Sequence, residues 1–129
     1  MPNYTLPIAR THFISLASAI DMTARYRKLR EDLLLPEYRG LNILCTSETF
    51  NLADMLALVT EPGCFGFRIY YGMKEDKTIH ALLIGTDAAG NDLLPVIAAV
   101  PLASATDPLI LQDGQRCPPL CPVPSPLNP

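Results

Sequence analysis

Four cysteines are the most reactive side chains in this sequence of 129 residues. Two of them, Cys117 and Cys121, sit four positions apart in a closing stretch, 117–129, that also holds six of the thirteen prolines. A pair of thiols at this spacing has two chemistries open to it, a disulfide or a shared metal ion such as zinc, with Cys45 and Cys64 able in principle to complete a four-thiolate set. The prolines oppose both. Proline lacks an amide hydrogen and fixes φ, so the stretch is expected to be extended rather than helical or part of a central strand. In a straight polyproline II helix the two α-carbons lie about 12 Å apart, at roughly 3.1 Å per residue, whereas a disulfide needs less than about 7 Å. Thiol chemistry at Cys117 and Cys121 therefore requires the chain to turn, and Pro118-Pro119 is where a turn would start. Cys45 and Cys64, with no paired neighbour in sequence, read first as small buried apolar residues.

The same stretch offers recognition instead of chemistry. Pro119-Leu-Cys-Pro122 and Pro126-Leu-Asn-Pro129 both have the P-x-x-P spacing, which puts each proline pair on one face of a three-residue-per-turn helix. Such a segment loses little entropy on docking into a groove. It would reach about 40 Å at roughly 3.1 Å per residue.

A second candidate lies upstream. Arg68 shares a face of an alternating segment with Gly66, Tyr70 and Gly72. Glycine in a strand marks close approach of a ligand or backbone, or a plain bulge. Arg68 with Tyr70, and His80 from the next strand if the register allows, could hold a carboxylate or phosphate. The alternative is a solvated strand face. The run Arg25-Tyr-Arg-Lys-Leu-Arg30 resembles a contact for anionic polymers, but Glu31, Asp32 and Glu37 follow at once, so it reads as a solvated helix face.

The rest of the sequence narrows the function classes. Net charge is −3, with +2 over residues 1–40 and −5 over residues 41–129, which disfavours nucleic-acid binding. The most apolar stretch, Leu93 to Ala105, contains two prolines and is too short to span a bilayer. No phosphate loop, serine elbow or metal-protease motif occurs, and a Cys64 thiol paired with His12 or His80 lacks any supporting pattern. The expectation is a cytoplasmic, non-enzymatic protein that needs no cofactor, zinc remaining the one open possibility, with a protein partner or self-association and no contact with nucleic acid or membrane. In that compartment cysteines are expected as thiols or metal ligands.

These candidates must be positioned by a single domain over residues 1–116, followed by the tail 117–129. Ser15 is placed to cap a helix whose stripe is Leu16, Ala19, Ile20, Met22, Tyr26, Leu29 and Leu33, ending near Leu34 because Pro36 follows. Asn51 and Asp54 mark the start of a short helix over residues 52–60, stopped by Pro62-Gly63. Alternation from Phe65 to Gly72 predicts a strand, Thr78 to Thr86 a second, and Asp92 towards Val100 a third, broken at Pro95. Residues 36–50 read as a crossing segment and 104–115 as irregular. The fold class is α+β: a small antiparallel meander of about three strands packed against two helices, with an extended Pro/Cys-rich C-terminal tail.

In the order Ser47-Glu-Thr-Phe50, Phe67-Arg-Ile-Tyr-Tyr-Gly72, Gly85-Thr-Asp-Ala-Ala-Gly-Asn-Asp92 and Cys117-Pro-Pro-Leu-Cys-Pro122, the sequence resembles a group of small uncharacterised bacterial proteins with an FRIYYG-type strand and a Cys-x-x-x-Cys-Pro tail. The resemblance covers most of residues 12–127. It implies a bacterial protein of a recurring type and brings no activity, cofactor or ligand with it.

Overall fold

A computed structural model describes residues 12–94 and 110–129. In chain order it contains α1 (Leu16–Leu29), a short 3₁₀ turn (Pro36–Tyr38), β1 (Ser47–Thr49), α2 (Leu52–Val59), β2 (Gly66–Met73), β3 (Ile79–Thr86), β4 (Ile110–Leu111) and β5 (Gln115–Cys117). The fold is α+β: two helices, a three-stranded antiparallel sheet ordered β2-β3-β4, and a second, two-stranded sheet of β1 and β5. The chain gathers into two compact units, and β5 runs across the expected 116/117 boundary.

One unit contains described residues 50–72, 80–94 and 110–114. Asn51 caps α2 as its side-chain oxygen accepts from the Asp54 amide at 2.7 Å, and the helix ends at Thr60 before Pro62-Gly63. Leu58, Leu83, Ile84, His80 and Thr86 are buried here. The central strand β3 is covered on both faces, which is why it is apolar at consecutive positions. Gly85 shows how close the covering comes. A β-carbon built there would stand 3.1 Å from Cys64 Sγ and 3.7 Å from the Leu58 carbonyl oxygen of α2. Of the third strand expected from Asp92 towards Val100, the described part makes an isolated bridge from Asp92 to Thr86, and β4 at Ile110–Leu111 pairs with β3 on its other side from β2. Residues 95–100 of the expected strand lie outside the described residues.

The other unit contains described residues 12–49, 73–79 and 115–129. Ser15 caps α1, accepting from the Ser18 amide at 3.0 Å. The regular helix ends at Leu29, and looser turns carry the chain to Leu34. The Arg39 side chain then closes the end, its Nε donating to the Glu31 and Leu34 carbonyls at 3.1 Å each. Helix ends leave carbonyls without partners, and an arginine five to eight residues on supplies the donors. None of the described residues of α1 is buried, although Tyr26 and several neighbours are half-covered.

The β1–β5 sheet joins segments that the sequence reading left as crossing and irregular. Its register pairs Ser47 with Cys117, Glu48 with Arg116 and Thr49 with Gln115. Arg116 organises the unit. Its Nη2 donates to the carbonyls of Asn42, Ile43 and Ile79 at 3.0–3.1 Å. Ile43 and Cys117 are buried beside it.

Candidate functional site

Cys117 is fixed from both sides before the tail begins. The Thr46 amide and hydroxyl both donate to its carbonyl, at 2.7 and 2.9 Å, and the residue is only 2% exposed. The chain then reverses through Pro118 and Pro119, both following cis peptide bonds, and the Leu120 amide donates back to the Arg116 carbonyl at 2.9 Å. The α-carbons of Cys117 and Cys121 come within 4.6 Å, and the two sulfurs are joined in a disulfide. This corrects two expectations. Residues 117–121 turn instead of extending, and these two cysteines are bonded instead of being thiols. The bond is possible because a turn brings together sulfurs that a straight polyproline segment holds apart.

The remainder of the tail also turns. Ser125 and Asn128 exchange backbone hydrogen bonds at 3.1 and 2.9 Å around Pro126-Leu127. Pro119 and Pro126 thus occupy turns, and neither Pro119/Pro122 nor Pro126/Pro129 forms the straight face expected of a P-x-x-P ligand. Arg27 on α1 donates to the Leu127 carbonyl at 2.6 Å, and Asn128 Nδ2 contacts Cys117 Sγ at 3.7 Å. These contacts tie the tail to its own unit. Large apolar side chains face outward: Leu120 is 61% exposed and Val123 83%. Residues 117–129 contain no charged side chain.

The other two cysteines are separate from this bond. Cys45 and Cys64 are free thiols, the first in the same unit as the tail and the second in the other. Burial raises the Cys45 thiol above its ordinary value, against an opposing pull from Arg116 and with Glu48 adding to the rise. Burial likewise raises Tyr26, whose hydroxyl donates to the Cys45 carbonyl at 2.6 Å. Among the described residues no group of three or more His, Cys, Asp or Glu side chains is arranged to hold a metal ion.

Arg68 and Tyr70 do converge, and a carboxylate of the chain meets them. Arg68 Nη1 pairs with one oxygen of Asp92, the Tyr70 hydroxyl donates to the other, and Arg68 Nη2 donates to the Gly90 carbonyl at 2.8 Å. The turn that presents Asp92 is built by Asp87. Its Oδ1 accepts from the amides of Ala89 and Asn91 at 2.9 Å each, and Gly90 takes the positive φ that closes the turn. Those bonds, that from Asn91 first, hold the Asp87 carboxyl below its ordinary value. The β-carbon direction of Gly72 meets Leu82 at 3.0 Å, so even-numbered residues of β2 and β3 share a face. His80 thus lies on the face of Arg68, as a buried side chain of the central strand.

The basic run on α1 serves the fold. Arg30 bonds the Leu44 carbonyl and pairs with Glu31, while Arg27 holds the tail. The apolar stripe of α1 opens onto a shallow groove of about 290 Å³ lined by Met22, Arg25, Tyr26, Leu29, Arg30 and Leu33. Arg116 and Asp92 are the functional side chains that the sequence alone does not mark as such. Nothing local marks an arginine that will meet three carbonyls from distant segments, whereas Asp92 closing the turn 87–92 carried the signal of an acid beside turn residues.

Comparison with protein-family models, with curated proteins and with solved structures finds no match for this chain. No described helix is long and apolar enough to cross a membrane.

Proposed function

We propose that this is a non-enzymatic interaction or accessory protein that docks a protein partner through its C-terminal tail. The observation that carries this reading is the Cys117–Cys121 closure, which holds residues 118–120 in one turn with Leu120 exposed. A segment ordered before it binds loses little further entropy on docking. Leu120 and Val123 present apolar surface and no side chain of the tail is charged, so the complementary surface is an apolar groove on another protein, without a requirement for charge. The groove would read a rigid turn rather than a straight polyproline helix.

The test places a photo-crosslinking residue at position 124 of the full chain in its native cell. A discrete crosslinked protein species is expected, lost in a Leu120→Asp/Val123→Asp variant whose circular dichroism and melting temperature match the parent. If that variant retains every crosslink, docking is elsewhere and the reading is wrong.

A second reading, a thiol module, is favoured by the unequal exposure of the two bonded cysteines. Cys121 is exposed and Cys117 is buried. An external thiolate would attack Cys121 Sγ, form a mixed disulfide there and release Cys117 as the leaving thiolate; a second external thiolate would then displace Cys121. Differential alkylation before and after glutathione equilibration reports it. Two sulfurs that stay bonded across the physiological range of glutathione potentials would exclude it.

A further inference from the structure

We propose that two copies of this chain associate through β2, paired edge to edge and antiparallel about Ile69. The proposal rests on a different surface, in the other unit, from the tail reading, and neither depends on the other.

Odd-numbered residues of β2 and β3 share the face opposite Arg68. On it, α2 covers the β3 side, where Gly85 faces Leu58 and Cys64. Among the described residues the β2 side is left open: Phe65 is 65% exposed, Phe67 51%, Ile69 46% and Tyr71 79%. An ordinary soluble surface scatters its apolar side chains, whereas these alternate along one strand. That strand is also the edge of the sheet among the described residues. Natural edge strands are blunted by proline, lysine, a bulge or brevity. β2 runs for eight residues with no proline and no lysine, Arg68 being its only charge.

Its order of side chains says what pairs with it. Two copies related by a two-fold axis perpendicular to the sheet must place like-numbered parities opposite each other, because directly opposed residues point to the same face. Centred on Ile69, Ile69 meets Ile69 of the second copy, Phe67 meets Tyr71, Gly66 meets Gly72, and Arg68 meets Tyr70. Apolar faces apolar, small faces small, and the one cation faces an aromatic ring. Centring on Arg68 would oppose two guanidinium groups, which is unfavourable. The strand is its own complement in one register and is opposed in the neighbouring one.

The area sets the strength. At ~200 Å² per aromatic side chain the three rings expose roughly 400 Å². A standard interface takes about 800 Å² from each partner. The strip supplies at most about half of that, so the dimer is a weak and concentration-dependent one, closed because each copy offers β2 once.

The experiment uses the full chain. Sedimentation equilibrium over a range of concentrations is expected to show the mass rising from one chain towards two, and Ile69→Lys, which opposes two ammonium groups at the axis, is expected to hold it at one. Copper-phenanthroline oxidation of Ile69→Cys is expected to crosslink two chains at least tenfold faster than oxidation of Phe67→Cys, whose two thiols lie far apart in this register. The Phe67→Lys/Tyr71→Glu pair restores the dimer that Phe67→Lys alone weakens, since each ammonium then meets a carboxylate. A chain that stays monomeric at the highest concentration overturns the proposal. So do open-ended aggregation and equal crosslinking at both positions.

Discussion

Arg68 and Asp92 form an ion pair that is largely covered, with side-chain exposures of 26% and 21%, and Tyr70 donates to the carboxylate oxygen that Arg68 Nη1 leaves. The planar donor fork and the phenol that could hold a bound acid hold an internal one. Removing it should do two things. Asp92→Ala should destabilise the chain by about 2 kcal/mol, the range for hydrogen bonds to charged groups. It should also leave a vacated anion site, so that acetate raises the melting temperature of Asp92→Ala and leaves that of the parent unchanged. Equal acetate shifts in both proteins would show that Arg68 does not select a carboxylate.

The turn that presents Asp92 should be acid-sensitive. Asp87 is held below its ordinary 3.8 by amide hydrogen bonds, Asn91 first. A depressed carboxyl contributes stability that is complete above the unfolded value and is lost as pH falls through the folded one. Asp87→Asn should therefore lower stability at neutral pH and flatten the acid limb of the stability-versus-pH curve below pH 3.8, where the parent loses the same contribution. A superimposable acid limb in parent and variant would contradict this.

Cys45 should be a slow thiol. Burial raises it above its ordinary 9.0, so the reactive thiolate is scarcer at neutral pH in the folded chain than in the unfolded one. The sign for stability follows. The folded state favours the protonated thiol, so this contribution is full below the unfolded value and declines as pH rises through the folded one. Iodoacetamide labelling followed by peptide mass mapping should find Cys45 modified several-fold more slowly in buffer than in urea at the same pH.

Gly85 is a packing position. A β-carbon there would stand 3.1 Å from Cys64 Sγ and 3.4 Å from Leu93 Cδ1. Gly85→Ala should cost about 1 kcal/mol through overpacking. Adding Cys64→Ala removes the nearest atom and should recover part of the loss, which a double-mutant cycle in urea measures. Purely additive effects would mean that the sulfur is not the obstacle.

Local chemistry determined much of this protein. Ser15 and Asn51 marked both helix starts because a short polar side chain bonds the amide three residues on, whatever the rest of the chain does. Alternation from Phe65 to Tyr71 marked β2, and the apolar run after Thr78 marked a strand covered on both faces. Arg68 and Tyr70 were recognisable as a converging pair. What they converge on was not, because Asp92 comes from a turn more than twenty residues away. β5, β4 and the three-carbonyl role of Arg116 were equally invisible, since strand pairs of two or three residues carry no period of their own and exist only through long-range partners. The tail shows the division most clearly. Its prolines excluded helix and its thiols raised a disulfide as a conditional on a turn at Pro118-Pro119. Only the pairing of β5 with β1, which anchors Cys117 under Thr46, and the return bond from Leu120 to Arg116 decide that the turn is made.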